Sequence, residues 1–139
     1  KIDKSVKFIL SEEEKYGIKN YKTYKDFADK VYRIRDNVRK NISNMKKNNK
    51  KIIGYGSPAK ATTALNFFGI SHEIEYIIED NKLKQGKFLP GMKIPIVSKS
   101  NDQKKADCAL VLAWNFFDEI KKNNSNLAHE LINIKDLEI

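Results

Sequence analysis

The chain has 139 residues, of which 40% are apolar and 32% charged, and its formal net charge is +9. This length fits one domain with at most an appendage, and the composition excludes an intrinsically disordered chain. Cys108 is the single cysteine, so we expect no internal disulfide, no metal site and a reducing, cytoplasmic setting. No run approaches the roughly 18 uninterrupted apolar residues of a membrane helix, so we expect no membrane partner.

Residues 1–50 are predicted to form two helices that make up a helical arm. The first covers 5–16 and ends at Gly17, and the second begins at Thr23 or Tyr24 and ends near Asn48. The apolar residues of the second helix recur at intervals of three and four: Phe27, Val31, Ile34, Val38, Ile42 and Met45. Such a stripe must be covered, and we predict that the arm packs on the domain that follows.

The arm also carries most of the positive charge, with 15 Lys or Arg residues against 7 Asp or Glu residues. A basic segment of this kind can indicate a nucleic-acid partner. However, 24 of the 27 basic residues are lysines, whereas readers of bases and phosphates favour the arginine fork. We therefore interpret the charge as a solvated face and predict no nucleic-acid partner.

Residues 51–139 alternate short apolar runs with helical segments. The runs at 52–55, 73–78, 94–97, 108–114 and 131–134 are predicted strands. Helices are predicted at 58–68 and 115–122, and the glycine- and proline-rich stretch 82–91 is predicted to be a loop or hairpin. This alternation indicates an α/β fold, a small Rossmann-like parallel sheet with helices on both faces, preceded by the helical arm.

The turn after the first strand has the spacing G-x-G-x-x-A, formed by Gly54, Gly56 and Ala59. Glycines let a backbone turn tightly and approach a ligand, and the following helix offers free N–H groups at its start. Glu79 and Asp80 end the second strand about twenty residues later, where a ribose hydroxyl binds in dinucleotide-binding folds. The same residues also fit a tight strand-to-helix turn that binds nothing.

Other candidate residues lie at the same edge of the predicted sheet. Lys60, one turn into the helix, either reaches a phosphate or stays solvated. Trp114 and Asn115 follow a buried strand. In one interpretation the Trp114 ring stacks on a ligand and the Asn115 amide binds its hydroxyls. In the other, Trp114 is a packed aromatic residue and Asn115 caps the following helix. Lys84 belongs to a cationic loop that can cover the crevice. No nucleophile–base pair is present, so we predict no catalytic residue.

Several segments occur together in one order. They are Gly54-Tyr55-Gly56-Ser57-Pro58-Ala59-Lys60-Ala61-Thr62-Thr63, Glu79-Asp80-Asn81, Lys84-Gln85-Gly86, Leu89-Pro90-Gly91, Ile94-Pro95-Ile96, and Trp114-Asn115 with Asp118-Glu119-Ile120. This series resembles the C-terminal domain of the sugar C-methyltransferases, which use S-adenosylmethionine to methylate deoxysugar nucleotides. The resemblance covers essentially the whole chain and departs at Lys82-Leu83, where the family's pattern has a proline.

The resemblance implies that the chain is the tail of a three-domain enzyme. Zinc and S-adenosylmethionine would then be held by upstream domains, with no cofactor in this chain, and the partners would be the nucleotide-sugar and the catalytic domain of the same polypeptide. The implied substrate-binding residues are Gly54, Tyr55, Gly56, Ser57, Pro58, Ala59, Lys60, Asp80, Lys84, Trp114 and Asn115. Two alternatives stay open, an NAD-binding Rossmann module and a purely structural domain without a ligand.

Overall fold

The computed structural model describes residues 3–100 and 105–138. The chain divides into two compact units, of which the first ends at Ile34 and the second begins at Arg35. Within the described ranges, no helix is both long enough and apolar enough to cross a membrane.

The first unit contains helix α1, Lys4–Lys15, and the beginning of helix α2, Tyr21–Lys47. Asp3 caps α1 by accepting a hydrogen bond from the Ser5 amide at 2.8 Å. The chain then turns at Gly17, where φ is +68°, a backbone conformation that favours glycine. Both predicted helices are confirmed to within three residues at each end.

The remainder of α2 belongs to the second unit, in which Val38 and Ile42 are fully buried. The Asn37 and Asn41 side-chain amides donate to the backbone carbonyls of Glu138 and Leu137, at 3.2 and 3.1 Å. These contacts fix the last turns of α2 against the chain's C-terminal segment. Phe27, at the other end of the predicted stripe, is exposed, and the packing of the whole arm on the sheet domain stays a prediction.

The second unit is built on a five-stranded sheet in the order β3-β2-β1-β4-β5, with every pair of neighbours parallel. The strands are β1 Ile52–Tyr55, β2 Ile74–Ile78, β3 Ile96–Val97, β4 Ala106–Val111 and β5 Ala128–Asn133. Helix α3, Ala59–Phe68, follows β1, and helix α4, Phe117–Asn123, follows β4 after a short 3-10 turn. The predicted α/β, Rossmann-like fold is confirmed.

The strand order fixes where a ligand can approach the sheet. From β1 the chain builds outward to β2 and β3, and then returns to place β4 on the other side of β1. The connections after β1 and β4 therefore diverge at the carboxyl edge and leave a crevice there. The strands on both sides of this point, β1 and β4, are buried along almost their whole length, which explains why Asp107 is the one charged residue in the two strands.

The predicted bounds of three strands are wrong by two residues or more. Strand β4 ends at Val111 because Trp114 already belongs to the 3-10 turn Trp114–Phe116. Strand β3 is limited to two residues because the Ile94 carbonyl accepts from the Leu89 amide within the preceding loop at 2.9 Å, not from the sheet. Strand β5 begins earlier than predicted, at Ala128.

Candidate functional site

Two clefts open at the carboxyl edge of the sheet, and the β1–α3 turn separates them, with Gly56 in one and Ser57 in the other. The first, here the Asp80 cleft, has a volume of about 560 Å³. Its lining includes Tyr55, Asp80, Lys99, Phe116, Glu119 and Asn124. The second, here the Lys87 cleft, has a volume of about 400 Å³. Its lining includes Ser57, Ala59, Thr62, Lys84, Lys87 and Phe88.

The β1–α3 turn is held by a carboxylate from the end of β2. Glu79 Oε2 accepts hydrogen bonds from the Ser57 amide at 2.8 Å and from the Ser57 hydroxyl at 2.5 Å. Its Oε1 accepts from the Asn81 amide at 3.0 Å. The Lys84 ammonium lies 3.6 Å from Glu79 Oε2 and donates to the Ser57 carbonyl at 2.9 Å. The anion position that the turn offers is therefore filled by the protein itself.

The ionisation of Glu79 follows from these contacts. Burial opposes the charged form, but the Ser57 hydroxyl, the Asn81 and Ser57 amides and the Lys84 charge together outweigh it and lower the pKa of Glu79. The residue is only 9% exposed, and its carboxylate is charged at neutral pH. A buried carboxylate with this many donors stiffens the turn.

Two glycines of the turn have different structural roles. A Cβ on Gly54 would lie 2.8 Å from Ile77 Cγ1 and 3.2 Å from Leu112 Cδ1, so Gly54 allows neighbouring core side chains to pack over β1. Gly56 has φ of +80° and its amide donates to the Ile78 carbonyl at 2.8 Å. Gly56 therefore makes the turn, and it also lines the Asp80 cleft.

A polar chain runs through the Asp80 cleft. The Tyr55 phenol donates to Asp80 Oδ2 at 2.6 Å and also hydrogen-bonds the Asn124 side chain. Asn124 Oδ1 accepts from the Lys99 ammonium at 2.9 Å. Burial, followed by the hydrogen bond to Asp80, raises the pKa of Tyr55 to about 12. The phenol therefore stays protonated and serves as a fixed donor.

Lys60 and Trp114 form a pair at the same edge. The Lys60 ammonium lies 4.1 Å from the centre of the Trp114 ring, within the range of a cation–π contact. Pro58 precedes α3 and offers no side-chain cap to its first amides. Asn115 is exposed in the 3-10 turn.

The comparison with known proteins identifies the family. Residues 1–132 match the model of a protein family that is described as the C-methyltransferase C-terminal domain. The chain belongs to this family. It is also similar to the C-methyltransferase NovU of Streptomyces niveus, with 37% identity over 117 residues, which cover 83% of this chain and 28% of NovU. The chain thus spans between a quarter and a third of the length of that relative, and the resemblance noted in the sequence is confirmed at the level of the domain.

In this C-methyltransferase C-terminal domain, the predicted site residues fall into separate places. Tyr55, Gly56 and Asp80 line the Asp80 cleft. Ser57, Ala59 and Lys84 line the Lys87 cleft. The remaining predicted residues line neither cleft: Gly54, Pro58, Lys60, Trp114 and Asn115.

Sequence reasoning missed several residues that line the two clefts. Lys99 lies shortly after β3 and lines the Asp80 cleft. The rule that ligands bind beyond the carboxyl ends of parallel strands identifies such a position as a candidate. Asn124 follows α4, and Phe116 lies within the turn before it, where no sequence pattern marks either residue. Thr62 belongs to the first turns of α3 and lines the Lys87 cleft.

Proposed function

We propose that the chain is the C-terminal domain of an S-adenosylmethionine-dependent sugar C-methyltransferase, and that it helps to bind the nucleotide–deoxysugar substrate without catalysing the reaction itself. The observation that carries the proposal is the pair of clefts on the two sides of the β1–α3 turn, in a chain of the C-methyltransferase C-terminal domain family. A nucleotide-sugar is an extended ligand with a ring system at each end and a diphosphate between them. Such a ligand needs two neighbouring recesses, not one.

The distribution of charge supports an orientation for the diphosphate. Lys87 lines the Lys87 cleft and Lys60 lies near the start of α3, whereas the charge of Lys84, which also lines that cleft, is paired with Glu79. The uncapped first amides of α3 add the positive end of the helix dipole on the same side of the turn. The Asp80 cleft instead carries the Asp80 and Glu119 carboxylates. The diphosphate therefore belongs on the Lys87 side of the turn.

The alternative of an NAD-binding module is opposed by Glu79. In dinucleotide-binding folds the pyrophosphate rests on the amides of the glycine-rich turn. In this chain the Ser57 amide and hydroxyl already donate to Glu79, and a phosphate there would have to displace a buried carboxylate. The alternative of a purely structural domain is opposed by the two clefts, which a tightly packed edge would lack.

Methyl transfer is assigned to other parts of the same polypeptide. Zinc does not fit the described residues, because Cys108 is buried in β4 and no three His, Cys, Asp or Glu side chains of the described ranges converge. S-adenosylmethionine carries the methyl group on its sulfonium. We expect it to be held outside this chain, because the described residues offer one glycine-rich strand–helix turn and Glu79 fills it.

The test is chemical-shift mapping on the isotope-labelled chain. We expect a thymidine diphosphate sugar to bind weakly, on the order of millimolar, because the catalytic domain contributes the other half of the site. The shifted amides should include those of residues 56, 57, 59–62 and 80–88. NAD at the same concentration is the matched control, and a stronger or wider response to NAD would contradict the proposal.

A further inference from the structure

We infer that the Asp80 cleft binds the pentose of the nucleotide, with the Asp80 carboxylate accepting a hydrogen bond from a pentose hydroxyl. This inference rests on the proposed function, and it assigns one end of the nucleotide-sugar to one of the two clefts. Four features of the cleft carry it: a carboxylate with acceptor capacity, a rigid floor behind that carboxylate, a local charge unsuited to phosphate, and sufficient room.

The two acidic residues at the end of β2 are not equivalent. Both oxygens of Glu79 accept hydrogen bonds from the protein, and the side chain is buried. Asp80 is exposed and accepts from the Tyr55 phenol through Oδ2. A carboxylate offers about four lone-pair directions, so Asp80 retains capacity for a hydroxyl donor. Asp80 and not Glu79 is therefore the acceptor that a ligand meets.

The floor of the cleft fixes the Asp80 carboxylate. Tyr55 and Asn124 are 6% and 7% exposed, so the phenol and the amide behind Asp80 are both held in the protein interior. The Asn124 amide nitrogen donates to the Ile120 carbonyl at 3.1 Å, which anchors this polar chain to α4. A carboxylate held in advance by such partners loses little freedom when a ligand binds.

The charge of the cleft selects the part of the ligand that enters it. Its ionisable groups are Asp80, Glu119, Lys99, the Tyr55 phenol, and Glu79, whose charge is balanced by Lys84. With two uncompensated carboxylates against one ammonium, a dianionic diphosphate is repelled, whereas a hydroxyl that donates to a carboxylate is stabilised.

The dimensions of the cleft also suit a nucleoside. Its volume of about 560 Å³ lies within the usual range of small-molecule sites. The Phe116 ring is 61% exposed at the cleft, where a base can stack on it. A hydroxyl can come from the pentose or from the hexose, and we choose the pentose because the hexose must be open to the catalytic domain for methylation.

The experiment compares thymidine diphosphate with its analogue that lacks the pentose 3′-hydroxyl, each titrated into the isotope-labelled chain. Thymidine diphosphate contains no hexose, so shifts at Tyr55, Asn81 and Phe116 report the nucleoside and not the hexose, and the comparison with the analogue isolates the pentose hydroxyl. We expect loss of the hydroxyl to raise the half-saturating concentration about tenfold, the effect of one hydrogen bond to a charged group. Asp80→Asn should produce a similar rise for thymidine diphosphate and almost none for the analogue.

The control variant is Asp118→Asn, which removes an exposed carboxylate of α4 outside the cleft lining and should leave both titrations unchanged. The inference is overturned, with the proposed function intact, if a nucleotide-sugar binds but Asp80→Asn binds thymidine diphosphate as well as the unaltered chain does. It is also overturned if the shifts fall only at residues 83–90. If neither thymidine diphosphate nor its sugar conjugate shifts any amide, the proposed function fails as well.

Discussion

Glu79 shows how a single side chain decides the chemistry of the turn. Its carboxylate receives the Ser57 amide and hydroxyl and the Asn81 amide, and it carries a charge balanced by Lys84. In Glu79→Gln one oxygen becomes an NH₂ group that faces a donor. We expect unfolding to become easier by about 1–3 kcal/mol, the cost of an unsatisfied buried group. Thermal unfolding should show a melting temperature lower by several degrees.

The matched control is Glu75→Gln in β2, the strand that Glu79 directly follows. Glu75 is exposed and pairs with Lys51 at 3.3 Å on the surface, where an ion pair contributes about 0–1 kcal/mol. Equal melting temperatures for the two variants would contradict the structural role of Glu79.

The same carboxylate predicts a pH dependence. The pKa of Glu79 is lower in the folded chain than in the unfolded chain, so its contribution to stability is complete above the unfolded pKa of about 4.3 and is lost as the pH falls through the folded value. The stability difference between the unaltered chain and Glu79→Gln should therefore shrink as the pH falls below about 4. Urea unfolding at a series of pH values measures it, and a constant difference would show that the charge is irrelevant.

At the scale of elements, Gly54 governs how β1 packs between β2 and β4. Gly54→Ala would bring a methyl group within 2.8 Å of Ile77 and 3.2 Å of Leu112. We expect a loss of about 1–3 kcal/mol, because both neighbours lie in a filled core. Ile77→Ala in the same chain removes the closer neighbour, so the double variant should lose less stability than the sum of the single variants. Strict additivity in urea unfolding would contradict this account.

The contact between Lys60 and Trp114 links α3 to the turn after β4. Trp114 is the single tryptophan, so its fluorescence reports the pair directly. Lys60→Ala should change the emission, lower the stability by no more than about 1 kcal/mol, and weaken binding of a thymidine diphosphate sugar about tenfold. Lys121→Ala is the control, since Lys121 lies over Phe117 in α4. Full affinity in Lys60→Ala would remove Lys60 from the site.

The type and order of the helices and strands, and the sheet edge at which the clefts lie, could be predicted from the sequence. Apolar runs and glycine punctuation identify β1, α3 and the turn between them, because both depend on local chemistry. The different roles of Glu79, which holds the turn, and Asp80, which faces the cleft, could not be predicted from the sequence. They depend on the direction in which each side chain leaves the end of β2, toward Ser57 or toward Tyr55. Lys99 and Asn124 meet only through tertiary contacts between segments 25 residues apart.

The extent of the apolar stripe on α2 determines how much of the helical arm contributes to the stability of the chain. Val38 and Ile42 of α2 are buried within the second unit, and the apolar stripe continues toward Ile34. If the arm packs on the sheet domain, Ile34→Asp buries a charge and should lower the melting temperature by several degrees. The control is Arg33→Asp at an exposed neighbouring position. The same melting temperature for the two variants would show that the stripe ends at Val38.

A competition between three ligands tests the proposed substrate class most directly. In saturation-transfer difference NMR, the protein resonances are irradiated in the presence of an equimolar mixture of a thymidine diphosphate sugar, NAD and S-adenosylmethionine. The saturation that is transferred to each ligand is then measured. We expect transfer to the nucleotide-sugar only, because NAD and S-adenosylmethionine would both need the β1–α3 turn, which the Glu79 carboxylate fills. Transfer to NAD or S-adenosylmethionine, or to none of the three, would contradict this expectation.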